Sequence, residues 1–132
     1  MKNLITAIYS KATGGANDFT TALGGRIYFG EAIQRAQMPY AVFSMVSTVP
    51  EYFLRFRHEE VLMQFNIFDE SRSANNVATY AGYCKALFDD CAMTVTGYTL
   101  IIFEREQERI LRHDMLENTW LYNIQYRVTL SI

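Results

Sequence analysis

The sequence has few of the residues that stabilise proteins lacking a large core. It contains two cysteines, Cys84 and Cys91, and both fall in a segment with a helical pattern. Seven helical residues separate two backbones by about 10 Å along the axis, which is too far for a disulfide bond. No histidine lies near them, so a zinc site has too few ligands. We expect two small buried side chains and a fold that needs neither metal nor disulfide.

An excess of positive charge and long apolar runs are also missing. The formal net charge is −2, and Lys and Arg are scattered, so the basic patch required for tight nucleic-acid binding is absent. No apolar run reaches the ~18 residues of a membrane-spanning helix, and the first residues lack the apolar core of a signal peptide. These absences predict a soluble intracellular protein with no membrane partner.

Glycine occurs seven times, but not in a phosphate-binding motif. The stretch GGRIYFGEAIQRAQMPYAVFSM, residues 24–45, contains neither GxGxxG nor GxxxxGK[ST]. A phosphate loop needs backbone N–H groups that open directly into the start of a helix. Gly24 and Gly25 instead follow a helical pattern and precede an extended one. We interpret them as a turn between a helix and a strand, and predict no cofactor.

Apolar and aromatic residues, in contrast, are abundant. Of the 132 residues, 50% are hydrophobic, 14% are aromatic and 20% are charged. A chain of this length can bury about two thirds of its unfolded surface, and no repeat or linker divides it. We expect residues 1–132 to form a single domain, and the aromatic content favours one that hides part of its surface in an assembly.

Three segments have helical spacing. The first is predicted to end at a left-handed Gly14 and to bury one face, formed by Ile5, Ile8, Tyr9 and Ala12. The second is short, with Asn17 or Asp18 as its cap. The third and longest begins after a cap at Ser71 or Ser73. Its apolar stripe consists of Val77, Tyr80, Ala81, Cys84, Leu87 and Phe88.

The remaining segments have the pattern of strands. A brief one covers residues 26–29, and a longer one covers residues 40–47, preceded by Pro39 and closed by Pro50. Residues 60–68 alternate, with Val61, Met63, Phe65 and Ile67 on the core side. Residues 98–103 and 120–132 follow, and the core side of the last carries Trp120, Tyr122, Ile124, Tyr126, Val128 and Leu130. This order predicts an α+β fold: a mostly antiparallel sheet, with one long helix and short N-terminal helices packed on one face.

His58, Glu60 and His113 are the candidate metal ligands. Alternate residues of a strand share a face, so His58 and Glu60 can converge, but the sequence does not connect His113 with them. No nucleophile elbow or catalytic triad pattern is present. The patterns therefore favour a protein that is not an enzyme, and a solvated surface at these residues, over a metal site.

The segment EYFLRFR, residues 51–57, concentrates apolar residues between two predicted strands. Either its side chains extend a strand into the core, or they form an exposed patch of the kind found at subunit interfaces. The candidate interface residues are Tyr52, Phe53, Leu54 and Phe56.

Residues 104–118 mix both signs of charge around Ile110 and Leu111 without a clean period. A solvated connection, a short charged helix and a long hairpin that projects beyond the sheet all fit this pattern. The hairpin would reach a neighbouring subunit, with its charges fixing the register of the contact.

The order of elements resembles a known family. The segments TALGGRIYFG, MPYAVFSM, EEVLMQFNIFDES, ATYAGYCKALFDD and WLYNIQYRVTLSI are similar to the corresponding parts of the tail-completion or tail-terminator-like proteins of long-tailed bacteriophages, which join head to tail. The resemblance covers nearly the whole chain.

This resemblance implies a structural role in the virion, with the host cytoplasm as the place of assembly. It implies a ring of identical subunits, commonly six, that caps the tail tube and contacts the tail tube protein and the head-tail connector. DNA would only pass through the channel, and the lack of a basic patch suits such passage. The family carries no catalytic residues.

Other functions remain open to the sequence. Within the same class, the chain could be an inner-tail or neck component, or an assembly factor absent from the finished particle. From different classes, the alternatives are a small intracellular metal-dependent hydrolase using His58, Glu60 and His113, and a ligand-binding regulatory domain.

Overall fold

The chain folds into one α+β domain, which confirms the predicted class. The computed structural model describes residues 2–52, 57–112 and 118–132. Within them the elements are α1 (Lys2–Thr13), α2 (Asp18–Ala22), β1 (Ile27–Phe29), β2 (Tyr40–Tyr52), β3 (Arg57–Glu70), α3 (Asn75–Phe88), β4 (Thr99–Arg112) and β5 (Thr119–Ser131). None of the helices in these ranges is long and apolar enough to cross a membrane.

The strands form one sheet in the order β1-β2-β3-β5-β4. All neighbours are antiparallel except β1 and β2, which run parallel over three residue pairs. The fifth strand therefore lies between β3 and β4, and the two outer positions belong to the short β1 and the long β4. Neither the parallel pair nor this order was predicted from the sequence.

The helices pack on one face of the sheet, as expected. The predicted core residues of β3, from Val61 to Ile67, are completely buried together with side chains of all three helices. The Phe65 ring lies 4.7 Å from that of Phe88 on α3 and 5.8 Å from that of Tyr126 on β5. A block of aromatic rings thus joins the long helix to the middle of the sheet, where burial of large rings contributes most to stability.

Two details of the first helix differ from the prediction. Its buried residues are Leu4, Ile8 and Ala12, whereas Tyr9 is 46% exposed. The buried face of the helix is thus centred on the line of these three residues, and Tyr9 lies at its border. The backbone at Gly14 is not left-handed. Instead, a Cβ there would lie 2.3 Å from the Ser10 carbonyl oxygen, so the glycine is required by a close approach of the chain.

The caps of the other helices were predicted with mixed success. Asn17 caps α2, where its Oδ1 accepts a hydrogen bond of 2.8 Å from the Thr20 N–H. Neither Ser71 nor Ser73 caps α3, which begins after Ala74 without a side-chain cap. The Ser73 hydroxyl accepts from the Asn75 N–H, so it is used in the turn before the helix.

The strands are longer than predicted, and Pro50 does not close β2. The strand continues to Tyr52 and pairs with β3 throughout. A proline is tolerated in a strand that is paired on one side only, because its nitrogen removes no ladder bond when it faces the unpaired side. The long helix, in contrast, ends at Phe88, so Cys91 lies beyond it and does not share a helix with Cys84. Both thiols are free.

The charged segment after residue 103 is a strand as far as it is described. Glu104–Arg112 continues β4 and pairs with β5 from Arg127 to Trp120. The short helix and the solvated connection are therefore wrong here. The long hairpin is present as the antiparallel pair of β4 and β5, but it does not project beyond the sheet, because β4 is held along the sheet as its edge. The rest of the predicted segment reaches residues 113–117, which lie outside the described residues.

Candidate assembly surface

One face of the sheet faces away from all the described helices. We call it the open face. It carries the residues of β3 with even numbers from His58 to Glu70 and those of β5 with odd numbers from Thr119 to Ser131, because successive side chains of a strand point to opposite sides. The strand registers align these residues into rows across the sheet.

The central row of the open face is polar and uncharged. It consists of Ser44, Gln64, Gln125 and Gln107. The Gln64 amide donates to the Ser44 hydroxyl at 3.2 Å. In the next row, the Asn123 amide donates to Asn66 Oδ1 at 2.6 Å and to Gln64 Oε1 at 3.2 Å. These bonds fix the amides in position without a charge.

An apolar row closes one end of the open face, where β2 begins. It consists of Tyr40, Phe68, Leu121 and Leu111. The Tyr40 and Phe68 rings stack with centroids 5.0 Å apart, and Tyr28 of β1 contacts Tyr40 edge-on at 6.1 Å. Apolar side chains on the uncovered side of a sheet are typical of contact surfaces.

The opposite end of the open face is charged. Arg127 pairs with Glu106 across β5 and β4. Together with Glu60 they border a small cleft of about 150 Å³ that reaches β2 at Ser47 and Val49. The open face thus has an apolar row near one end, with the charged Glu70 and Arg109 in the rows on either side of it, an uncharged polar row at its centre, and the Arg127–Glu106 pair near the other end.

The exposed large apolar side chains are concentrated at the two edges of the sheet. Within the described residues, one group lies on α1, β1, the loop after β1, and β2, and consists of Tyr9, Phe29, Ile33, Val46, Val49 and Tyr52. A second group lies on β4 and consists of Ile101, Ile102, Ile110 and Leu111. Outside these groups, Ile132 is the one other large apolar side chain of the described ranges that is as exposed. The molecule therefore presents two different apolar edges.

A groove adds to the first of these edges. It lies between α1 and β1, has a volume of about 400 Å³, and is lined by apolar side chains that include Ile5, Tyr9 and Phe29. Such an apolar lining does not suit a phosphate.

The backbone of Gly24 and Gly25 supports their interpretation as a turn. Both residues have positive φ angles, +61° and +75°, which favour glycine.

A cluster of charged side chains attaches β4 to α3. The Lys85 ammonium lies 3.0 Å from Glu108, which also accepts a hydrogen bond of 2.8 Å from the Tyr122 hydroxyl. Arg105 lies 3.6 Å from both Glu108 and Asp89. Burial alone raises the pKa of Glu108, but the hydrogen bonds from Lys85 and Tyr122 outweigh it and lower that pKa. The cluster therefore holds the edge strand with charges that are satisfied within the chain.

The buried end of this cluster is Tyr126. Its hydroxyl donates a hydrogen bond of 2.7 Å to Asp89 Oδ1. Burial, followed by the nearby Cys84 and Asp89, raises the pKa of Tyr126. The ring stays neutral, and it anchors the C-terminal end of α3 to the sheet rather than taking part in proton transfer.

The predicted interface residues are only partly within the described chain. Tyr52 is 73% exposed at the end of β2, and the Arg57 guanidinium lies 5.8 Å from its ring centroid. Phe53, Leu54 and Phe56 lie outside the described residues. The exposure of Tyr52 is what an interface residue requires before assembly.

The candidate metal ligands do not come together as a described set. His58 and Glu60 share the open face of β3, where His58 is paired in register with Glu51 and Ser131. His113 lies outside the described residues. Among residues 2–52, 57–112 and 118–132, no group of three metal-ligating side chains is close enough to hold an ion.

Comparison with known proteins connects this surface to a family. The sequence model of the family described as Tail completion protein gp17 matches residues 8–130. The chain belongs to this tail completion family. It is a structural protein of a phage tail with a place in the virion, and the family's role implies that it is not an enzyme. A search of the curated proteins found no match.

A solved structure supports the fold of this tail completion chain. The chain is similar in structure to a chain in the virion of a native gene transfer agent particle, with a TM-score of 0.85 at 9% sequence identity. The alignment covers 98% of this chain and 95% of that chain. The fold is therefore shared although nearly all the side chains differ.

Sequence reasoning missed the β4 edge and the groove beside β1. Both depend on which strand lies outermost, and the local pattern of residues 99–112 contains no signal of it. The aromatic Tyr28, Tyr40 and Phe68 could have been noticed, because alternation places the last two on the sides of their strands opposite the core.

Proposed function

We propose that the chain forms a closed ring of identical subunits, six in number, at the head-proximal end of the tail tube, and joins the tail to the head connector. The observation that carries the ring is the presence of two different apolar edges on one subunit. A two-fold dimer would need one self-complementary patch, whereas a head-to-tail ring needs two different ones.

The two ends of the open face support contacts along the ring axis. One end is apolar, with Phe68 and Leu121, and the other is charged, with Glu60 and Arg127. A subunit with unlike ends can bind the tail tube protein at one and the head connector at the other. We infer that DNA passes through the ring without being held, since a net charge of −2 offers little attraction for phosphates.

Electron microscopy of particles made without the protein tests this function. We expect tails that are overlong or not joined to filled heads, because the tube end would remain uncapped. Restoring the wild-type chain should restore joined particles. Normal tails attached to filled heads in the absence of the chain would overturn the proposal.

A further inference from the structure

We propose that the rings are built by strand pairing: β4 of one subunit lies antiparallel against the free part of β2 of the next subunit. The five-stranded sheet would then continue from copy to copy. This inference rests on the proposed ring and adds which edges meet and in which direction.

Both edges have unpaired backbone. The short β1 covers β2 only at Ala41–Phe43, so Ser44–Tyr52 has a strand neighbour on the β3 side alone among the described residues. Strand β4 is the other end of the sheet order. Its Phe103 carbonyl already accepts a hydrogen bond of 2.9 Å from the Asp90 N–H, so the free part of this edge begins at Glu104. Such rows of free N–H and C=O groups can pair with a further strand.

The strand directions fit a ring. Strands β2, β3, β5 and β4 alternate in direction across three antiparallel pairs, so β2 and β4 of one subunit point in opposite directions. Copies related by rotation about a ring axis keep the same orientation along it. Strand β4 of one copy therefore meets β2 of the next in antiparallel orientation, and because the two edges differ, the contact is heterologous.

The side chains at these edges are compatible with contact. Val49 is 52% exposed and Ile102 is 37% exposed, and both have free apolar surface. Ser44–Val49 contains no charged residue. On β4, Arg105, Glu106 and Glu108 are already paired with Asp89, Arg127 and Lys85. Because Ser44–Val49 carries no charge, the remaining charges of this part of β4, Glu104 and Arg109, meet no like charge on it.

The irregularities of the strands define where the pairing runs. Pro50 has no N–H to donate and the Phe103 carbonyl is occupied by the Asp90 N–H, so the new ladder joins Ser44–Ser47 of one copy to Glu104–Gln107 of the next. Within the sheet, Ser44 and Gln107 belong to one row, through Gln64 and Gln125. Where the row continues into the next copy, Gln107 of one subunit lies beside Ser44 of its neighbour. Both strands also bulge within this stretch, at Val46 and at Glu106.

Disulfide cross-linking tests the contact. The double variant Ser44→Cys with Gln107→Cys is made in a chain where Cys91 is replaced by Ala, while the fully buried Cys84 is kept. The two new cysteines of one subunit are three strand spacings apart, about 14 Å, which is too far for a bond within the chain. Any link must therefore join two copies. Ser44→Cys with Gln125→Cys is the matched control, because Gln125 lies in the same row one strand further inside.

We expect mild oxidation of assembled tails, and of the purified protein at high concentration, to give the double variant a ladder of covalent multimers that ends at the ring size. The control pair and each single variant should stay monomeric on a denaturing gel. A ring seen by microscopy in which Ser44→Cys with Gln107→Cys does not cross-link, or in which the control links equally well, overturns the strand pairing and leaves the proposed function standing. A chain that stays monomeric in solution and is absent from tails overturns both.

Discussion

The Lys85 ammonium and the Glu108 carboxylate lie 3.0 Å apart and connect helix α3 to the edge strand β4. Glu108 is the acceptor for both Lys85 and Tyr122, so one carboxylate holds the outermost strand against the helix layer and the neighbouring strand. If β4 is the edge that meets the next subunit, this cluster fixes its position before assembly.

Removing the Glu108 charge should destabilise the domain. We expect Glu108→Gln to lower the free energy of unfolding at pH 7 by about 0.5–1 kcal/mol, as for a partly exposed ion pair. Because its pKa is lowered from 4.5 in the folded state, the contribution of Glu108 is present above pH 4.5 and is lost as the pH falls through the folded value. The variant should differ less from wild type in acid.

Urea unfolding at pH 7 and at pH 3 measures both effects. Glu104→Gln is the matched control on the same strand, because Glu104 takes part in none of the ion pairs of the cluster. Equal losses of stability in the two variants would contradict the assigned role of Glu108.

Asp69 should respond to pH in the opposite direction. It is 5% exposed, and its Oδ2 has no hydrogen-bond partner among residues 2–52, 57–112 and 118–132. Burial raises its pKa from the ordinary value of 3.8, against the opposing effect of the Glu70 N–H. Its favourable contribution is therefore complete below pH 3.8, where the carboxyl is protonated in both states, and is lost as the pH rises through the folded pKa.

We expect Asp69→Asn to be more stable than wild type at pH 7, because an amide carries no charge to desolvate. The Asn side-chain NH2 group would be as unpartnered as Oδ2, so the gain comes only from the extra cost of burying the charged form, about 1 kcal/mol, which corresponds to roughly 3–6 °C in Tm for a domain of this size. Thermal unfolding at pH 7 and pH 3 provides the measurement. A gain in Tm that is as large at pH 3 as at pH 7 would rule out the charge as its cause.

Two glycines in or next to helices should behave differently when replaced by alanine. At Gly14 the added Cβ would lie 2.3 Å from the Ser10 carbonyl oxygen, whereas at Gly82 within α3 it would meet nothing within 4 Å. Gly14→Ala should lose about 1–3 kcal/mol through overpacking. Gly82→Ala should gain about 0.5–1 kcal/mol through helix propensity. Chemical denaturation of both variants tests this, and a stabilised Gly14→Ala would show that the close approach is not needed.

Tyr52 should be needed for assembly and not for folding. Because its side chain is 73% exposed, Tyr52→Asp should change stability by no more than about 0.5 kcal/mol, yet block ring formation. Phe53→Asp and Phe56→Asp should do the same if these residues extend the exposed edge. Ala78→Asp, which places the same charge on an exposed position of α3, is the control and should assemble normally.

Light scattering or mass photometry of these variants, together with their thermal unfolding, separates the two roles. Loss of folding in Phe53→Asp or Phe56→Asp would place those side chains in the core. Normal rings of Tyr52→Asp would remove it from the interface.

Local pattern was sufficient for much of the fold. The alternation of Val61, Met63 and Phe65 predicted the core side of β3, and all three are fully buried, because the side-chain period of a strand is fixed by its backbone. The cap of α2 was predicted as Asn17 or Asp18 for the same kind of reason, since it involves only a neighbouring N–H, and the structure selects Asn17. In contrast, the serines before α3 were assigned wrongly, because several local hydrogen-bond arrangements of Ser71 and Ser73 are equally compatible with the sequence.

The sequence by itself determined the α+β class, the sides of β3 and β5 that enter the core, and a resemblance to tail-completion proteins. These properties depend on interactions between residues close in the chain and on the fixed periods of helix and strand. Only the tertiary structure decided that β5 inserts between β3 and β4. That choice leaves β4 and the second half of β2 at the edges, joins Lys85 to Glu108, and places Val49 and Ile102 in one row. Strand order is decided by how the whole apolar surface is buried at once, and no single segment carries that information.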